Sequence, residues 1–398
     1  MDERLAIDGG KPVRDSFLIF GSPDIREAEI QEVVDTLRSG WPGTGPRVAR
    51  FEEAFRAYIG SRHAVALNSC TAGLHLSMIA LGVKPGDEVI TTPLTFVATV
   101  NAIVHVGATP VLADCDRRTM NIDPNAIASR ITDRTRAIVP VHFAGRPAEM
   151  TAIEAIARPR GIRILEDAAH AVEARHGTRK VGTIGDCTVF SFYVNKNMMT
   201  VEGGMVTTDD DEIASWVKIA GLHGMSKDAW KRFGDEGYKH YAVHFPGFKY
   251  NMTDIQAAIG LHQLARVEAG WIRRQEIWNR YQAGLTGLPA FLPPPPDAGD
   301  RHAYHLFTLL VDLENLTASR DRILGALQAE NIGVGVHYSA IHLHPYYRDA
   351  YGFARGDYPS AEFVSDRTLS IPFSTKLTDG DVDDVIGAVR KVLTAYAR

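Results

Sequence analysis

Cysteine is scarce. Cys70, Cys115 and Cys187 are the only three in 398 residues, far apart, with no Cys-x-x-Cys pair and no clustered histidine beside them. Neither a disulfide framework nor a zinc site fits that spacing. Net basic charge is missing too: the formal charge is -5, and the basic face that nonspecific nucleic-acid binding needs is not expected. No apolar run reaches the roughly 18 residues that would span a membrane. The opening MDERLAIDGG has no apolar core of signal-peptide type. These absences predict a cytoplasmic globular protein with no metal, no nucleic acid and no membrane among its partners. No GxGxxG follows the first predicted strand, which argues against a dinucleotide-binding oxidoreductase.

What is present alternates. Short β-rich runs are predicted at 64–67, 88–92, 109–113, 136–142, 162–166, 187–192 and 205–208. Helical spacing is predicted at 24–39, through Val48, Phe51, Phe55 and Tyr58, through Leu74, Met78 and Leu81, and at 96–106, 148–157 and 211–222. Strands alternating with helices imply right-handed crossovers and a mostly parallel sheet covered on both faces. In such α/β sheets ligands collect at the carboxyl ends of the strands. The residues at those ends are Ser69, Cys70, Thr71, Phe96, Asp114, His142, Asp167 and His170.

Three local patterns there bear on chemistry. Asn68-Ser69-Cys70-Thr71 joins a strand to a helix, so unpaired amides and the helix dipole would face one spot, a cradle for phosphate; a plain N-cap by Ser69 or Thr71 is the other reading. Asp167 and His170, in GIRILEDAAHA, leave a central strand. A carboxylate buried there needs a cationic partner such as a protonated pyridine nitrogen, unless it caps the next turn. Lys196 lies in the turn between strands 187–192 and 205–208, where lost hydration would free its amine for a carbonyl. Amine, acid, phosphate cradle and the aromatic Phe96 together match what pyridoxal phosphate requires.

The segments NSCTAGLHLSMIALGVKPGDEVITTPLTFVATVNAI, GATPVLADCD, PVHFAGRPAEM, ILEDAAHA, SFYVNKNMMTVEGGMV and GFKYNMTDIQAAIGL resemble the sugar-nucleotide aminotransferases of the DegT/DnrJ/EryC1/StrS type, of the fold type I pyridoxal phosphate superfamily. The resemblance runs from about Ser22 to Val392. GFKYNMTDI, HAYHLF and GVGVHYSAIH are most similar to the branch acting on a UDP-linked 4-keto-pentose. It implies a large domain over 15–255 with a seven-stranded sheet, a connecting long helix over 256–285, and a small α+β domain over 286–398. It implies that Lys196 holds the cofactor as a Schiff base and shuttles a proton. Asp167 then keeps the ring nitrogen protonated, and His170 contacts the region of the ring's phenolic oxygen. Ser69, Cys70, Thr71 and Ser191 bind phosphate, and Phe96 stacks on the ring. Asn251 reaches the neighbour's cofactor phosphate in a homodimer with shared sites, with Lys249 and Tyr250 on the same segment. His337, Tyr338 and His342 either contact the sugar nucleotide or pack in the core and rim of the small domain. The implied partners are L-glutamate/2-oxoglutarate and a nucleotide-linked keto-sugar. Where Phe96 stands, arabinose-branch relatives carry Trp, and a smaller residue where Val201 stands. Two other functions fit less well. A dehydratase of this fold carries His at the lysine position, and a non-catalytic regulator that binds cofactor or sugar nucleotide would not need the full set.

Overall fold

The computed structural model describes residues 4–226 and 241–398. The stretch 223–244, polar, charged and aromatic without period and so expected to be a loop, lies largely outside them. The described residues form twelve strands: β1 His63–Leu67, β2 Glu88–Thr91, β3 Thr109–Leu112, β4 Thr135–Val139, β5 Arg163–Asp167, β6 Arg175–His176, β7 Arg179–Lys180, β8 Cys187–Ser191, β9 Gly204–Thr208, β10 Ala290–Phe291, β11 Phe307–Val311 and β12 Thr368–Ile371. Seven make the main sheet, in the order β1-β9-β8-β5-β4-β2-β3. β2 is parallel to both β3 and β4, and the parallel run continues through β5 to β8. β9 is antiparallel to both β8 and β1, so β9 alone is reversed in this α/β sheet.

β8 and β9 are buried along their whole lengths, as strands covered on both faces must be. The helix Cys70–Ala80 packs Leu74, Leu76 and Met78, each at 0 % exposure, against Val189 and Val206 of the sheet. It can approach that closely because Gly73 has no side chain: a Cβ there would stand 2.5 Å from Val189 Cγ1. On the opposite face, Phe51 and Phe55 of the helix Pro46–Ile59 meet Phe190 and Phe192 edge-on or tilted at 5.1–5.4 Å.

The C-terminal part is a three-stranded antiparallel sheet, β10-β11-β12. The helices Arg320–Ala329 and Asp379–Ala395 pack on it around Phe307, Val385 and Leu393. Two expectations fail here. The single long helix expected over 256–285 is two helices, Asp254–Ala265, opened by a Thr253/Gln256 capping box, and Val267–Leu285. Arg266 between them leaves helical geometry (φ -117, ψ 9) while its guanidinium is held by Asp24 and Glu29. The short run from Gly335 to Tyr338, which its sequence predicts to be a strand, does not form one. Only Gly335 pairs with Ser370, and the following backbone is held by a side chain instead, through Thr368 Oγ1 donating to the His337 carbonyl at 2.8 Å. Among the described residues no helix is long and apolar enough to cross a membrane.

Candidate active site

The carboxyl ends of β1, β2, β5 and β8 and the start of the reversed β9 meet at one edge of the sheet. There they enclose a chamber of about 510 Å³. Ser69, Cys70, Thr71, Phe96, Asp167, His170, Ser191, Lys196, His337 and Tyr338 all line it.

Asp167 ends β5 and is buried. Its Oδ2 accepts from Thr99 Oγ1 at 2.7 Å, and its Oδ1 from the Ala169 amide at 3.1 Å. Burial pushes its carboxyl above the ordinary value, while those two hydrogen bonds and the charge of Lys196 pull it back. Thr95 Oγ1 is 2.8 Å from Thr99 Oγ1 and extends the chain of hydroxyls. A carboxylate held this way is suited to a cationic ring nitrogen.

Lys196 follows β8 in a turn closed by its own amide donating to the Tyr193 carbonyl at 2.9 Å. Burial lowers its ammonium from 10.5 to about 8, partly countered by the Asp167 carboxylate. The same burial raises the Cys70 thiol well above its usual range, so this cysteine stays protonated. Opposite, Ser69 caps the helix Cys70–Ala80 through its Oγ, which accepts from the Ala72 amide at 3.1 Å. The N-cap reading of Ser69 therefore holds. It leaves the first-turn amides of Cys70 and Thr71, which have no acceptor within the helix, facing the chamber. Gly204 presses on this turn from β9, where a Cβ would fall 2.5 Å from the Ser69 carbonyl carbon.

His170 has both nitrogens engaged: Nδ1 accepts from the Ala144 amide at 3.3 Å, and Nε2 lies 3.2 Å from Tyr338 Oη. Burial, with the charge of Lys196, holds it neutral. Phe96 precedes the helix Val97–His105 at the chamber mouth, its ring 6.1 Å from that of Tyr338. His337 Nδ1 is 2.9 Å from Ser370 Oγ, and burial lowers its imidazole to about 4.

Four predicted residues lie elsewhere. His342 is a correction: at 0 % exposure it is locked to Glu362 at 3.0 Å under Tyr358, and it faces no ligand space. Lys249, Tyr250 and Asn251 do not line this chain's chamber. The Tyr250 ring stacks on Phe248 at 5.1 Å, and Lys249 Nζ donates to Asn251 Oδ1 at 2.6 Å. Asn251 Nδ2 in turn reaches Thr44 Oγ1 at 2.6 Å. Sequence reasoning passed over Thr99, Glu202 and His305, all of which line the chamber. His305 stands in the quoted HAYHLF segment. Thr99 is three positions after Phe96, one helical turn on, which places both on one face.

A helix N-terminus for an anion, a buried acid for a ring nitrogen and a softened lysine for an aldehyde, all around one chamber, fit pyridoxal phosphate. The fold and this chamber define a pyridoxal-phosphate-dependent enzyme of the sugar aminotransferase class. Residues 23–390 match the DegT/DnrJ/EryC1/StrS aminotransferase family, and the chain belongs to it. It is 49 % identical over 381 residues to the spore coat polysaccharide biosynthesis protein SpsC of Bacillus subtilis, covering 96 % of this chain and 98 % of that one. Among solved structures it is similar to the sugar aminotransferase Spr1654 of Streptococcus pneumoniae in its PMP form, at a TM-score of 0.90 and 35 % identity over 95 % of this chain and 99 % of that one. Spr1654 was also solved in a PLP form. Helicobacter pylori PseC, an aminotransferase involved in the biosynthesis of pseudoaminic acid, matches at a TM-score of 0.88 and 29 % identity over 96 % of this chain and 100 % of that one.

Proposed function

We propose that the enzyme takes an amino group from L-glutamate, releasing 2-oxoglutarate, and gives it to a keto carbon of a nucleotide-linked sugar, a UDP-4-keto sugar above all. The observation that carries this is the placement of Lys196, Asp167 and the helix start at Cys70 around a single chamber. Pyridoxal phosphate, when bound, supplies the carbonyl that carries the amino group and a ring that withdraws electrons from the reacting carbon.

The chain's own residues do the rest. Lys196 Nζ, whose proton is loosened by burial, takes a proton from the reacting carbon and returns it, alternately base and acid. Thr99 and Ala169 donate to Asp167 and so favour its anionic form against burial, which is the form that would pair with the ring nitrogen. The amides of Cys70 and Thr71, with Ser69 and Ser191, would hold the phosphate, while Phe96 would cover the ring and His170 would flank it. His337 and Tyr338 approach from the C-terminal side to contact the sugar nucleotide. The proposed unit is a homodimer in which Asn251 of the second copy, with Lys249 and Tyr250 beside it, completes the phosphate site. The proposed domain organisation remains 15–255, 256–285 and 286–398, with the connector now broken at Arg266.

Incubating the purified enzyme with glutamate and a panel of UDP-, dTDP- and GDP-linked 3-keto and 4-keto sugars tests the reading. The expected product is an amino-sugar identified by mass and NMR. Consumption of glutamate with no sugar aminated overturns it.

A further inference from the structure

Two histidines at the chamber wall are wired so that each can present only one hydrogen-bonding role. The first wire starts at Glu173, 1 % exposed, whose two carboxylate oxygens both accept from Asn197 Nδ2 at 3.0 Å. The same Nδ2 donates to the Ala303 carbonyl at 2.8 Å. With its NH₂ group committed to acceptors, Asn197 turns Oδ1 toward His305 Nδ1, 3.0 Å away. An amide oxygen only accepts, so Nδ1 must carry the hydrogen. Burial, with the charges of Lys196 and Arg274 and the nearby His170 and His337, keeps the His305 ring neutral. A neutral ring protonated at Nδ1 has a bare lone pair at Nε2. That atom takes no partner among the described residues, and the ring lines the chamber.

The second wire gives the opposite result. The Ala144 amide donates to His170 Nδ1, so the hydrogen of that neutral ring sits on Nε2 and is donated to Tyr338 Oη. The phenol oxygen is thereby an acceptor toward His170, which leaves its own hydrogen free to donate to another group. The His170 and His305 ring centroids are 4.3 Å apart, and both wires end on side chains that line the one chamber, His305 and Tyr338.

We propose that His305 Nε2 and Tyr338 Oη form a fixed acceptor–donor pair that reads a hydroxyl of the sugar held in the chamber. A hydroxyl answers both groups at once, accepting from Tyr338 and donating to His305. A carboxylate only accepts and meets the His305 lone pair unfavourably; a site built this way discriminates by leaving the wrong ligand's partner unpaired. His305 is thus a specificity-determining residue for the acceptor sugar, and Glu173 and Asn197 are positioning residues that set its tautomer. This rests on the sugar-acceptor reading above.

The test separates the two half-reactions in single turnovers of the full-length holoenzyme, one with glutamate and one with the keto-sugar that wild type aminates in the panel. His305→Asn keeps a donor toward Asn197 but stops short of Nε2; His305→Gln keeps the reach into the chamber and gives up the Asn197 bond. Expected is a rise of about 10-fold to 100-fold in half-saturation for the keto-sugar in His305→Asn and Tyr338→Phe. The rise for glutamate should be at least about 10-fold smaller. His305→Gln should recover most of the keto-sugar affinity. The second readout is ¹⁵N NMR of histidine-labelled holoenzyme, with the His305 signals assigned by their loss in His305→Asn. Expected is a neutral Nδ1–H ring across pH 6 to 8.

An Nε2–H ring, or a His305→Asn variant that binds the sugar like wild type while His305→Gln does not, overturns the proposal and leaves His305 a strut. A wild type that aminates no sugar overturns the reading beneath it, and the proposal falls with that reading.

Discussion

Thr99 Oγ1 donates to Asp167 Oδ2 at 2.7 Å, joining the helix after β2 to the end of β5 in the most buried part of the chamber. Thr99→Val keeps the shape and deletes the donor. A hydrogen bond to a charged group contributes about 1.5–3 kcal/mol, so the Asp167 carboxylate should bind its proton more tightly in the variant. Cofactor retention should fall about 10-fold or more at neutral pH and fall further as the pH is lowered. Equilibrium dialysis of pyridoxal phosphate across pH 5 to 8 measures this, and unchanged retention would count against Asp167 as the partner of the ring nitrogen.

Lys196→Ala should leave the cofactor bound without a covalent link and abolish turnover. Turnover that persists in the pure variant would refute the assignment. In cofactor-free wild type, labelling of Lys196 by trinitrobenzenesulfonate, followed by peptide mass spectrometry, should rise through about pH 8, well before surface lysines react.

The same residue makes stability depend on pH. The folded chain holds the Lys196 proton more weakly than the unfolded chain does, near 8 against 10.5. Folding is therefore disfavoured progressively as pH falls from about 10.5 to 8, with the full penalty present below 8. Lys196→Met should stabilise the cofactor-free enzyme more at pH 7 than at pH 10. Urea unfolding at the two pH values is the check, and an equal gain at both would contradict the burial of the charge.

Gly204→Ala should damage the phosphate cradle without touching a ligand directly. The added methyl would meet Ser69 and Cys70 backbone atoms at 2.5–2.6 Å, and backbone cannot swing aside as a flexible side-chain tip can. Overpacking of this kind costs about 1–3 kcal/mol. The melting temperature and the affinity for pyridoxal phosphate should drop together. Intact affinity would mean that the cradle lies elsewhere.

Val201 adopts φ +69 at 48 % exposure, in the turn between Lys196 and β9. A β-branched residue is strained there, by about 1–3 kcal/mol. Val201→Gly should remove that strain, and after the entropy of a freer unfolded chain the net gain is about 1 kcal/mol. Thermal unfolding tests it; a loss of stability would show that the valine's packing outweighs its backbone.

The sheet was legible because its strands are short apolar runs between breakers, and each predicted strand from 64 to 208 has an observed counterpart within a residue or two, β4 excepted. For β4 the expectation ran on through 142 while the strand ends at Val139. Pro140 explains that end, since it cannot donate to a ladder. The chamber residues that precede or follow strand ends were legible for the same reason. His342 was misjudged because nothing local marks Glu362, twenty residues on, as its partner. Arg266 breaks the long helix through Asp24 and Glu29, an attraction across more than half the chain that no helical periodicity encodes. Thr99, Asn197 and Glu173 act through other side chains, and such wiring exists only once the strands have brought them together.

The reversal of β9 also bears on how the enzyme is born. β1 has one strand neighbour, β9, so residues 63–67 find no ladder until 204–208 have left the ribosome. The loop proposed to cradle the phosphate follows β1 directly, and a long-range pairing of this kind forms late. Coenzyme capture must then wait for the hairpin that bears the reactive amine. A nascent chain halted before Gly204 would have neither a docked edge nor a finished anion pocket.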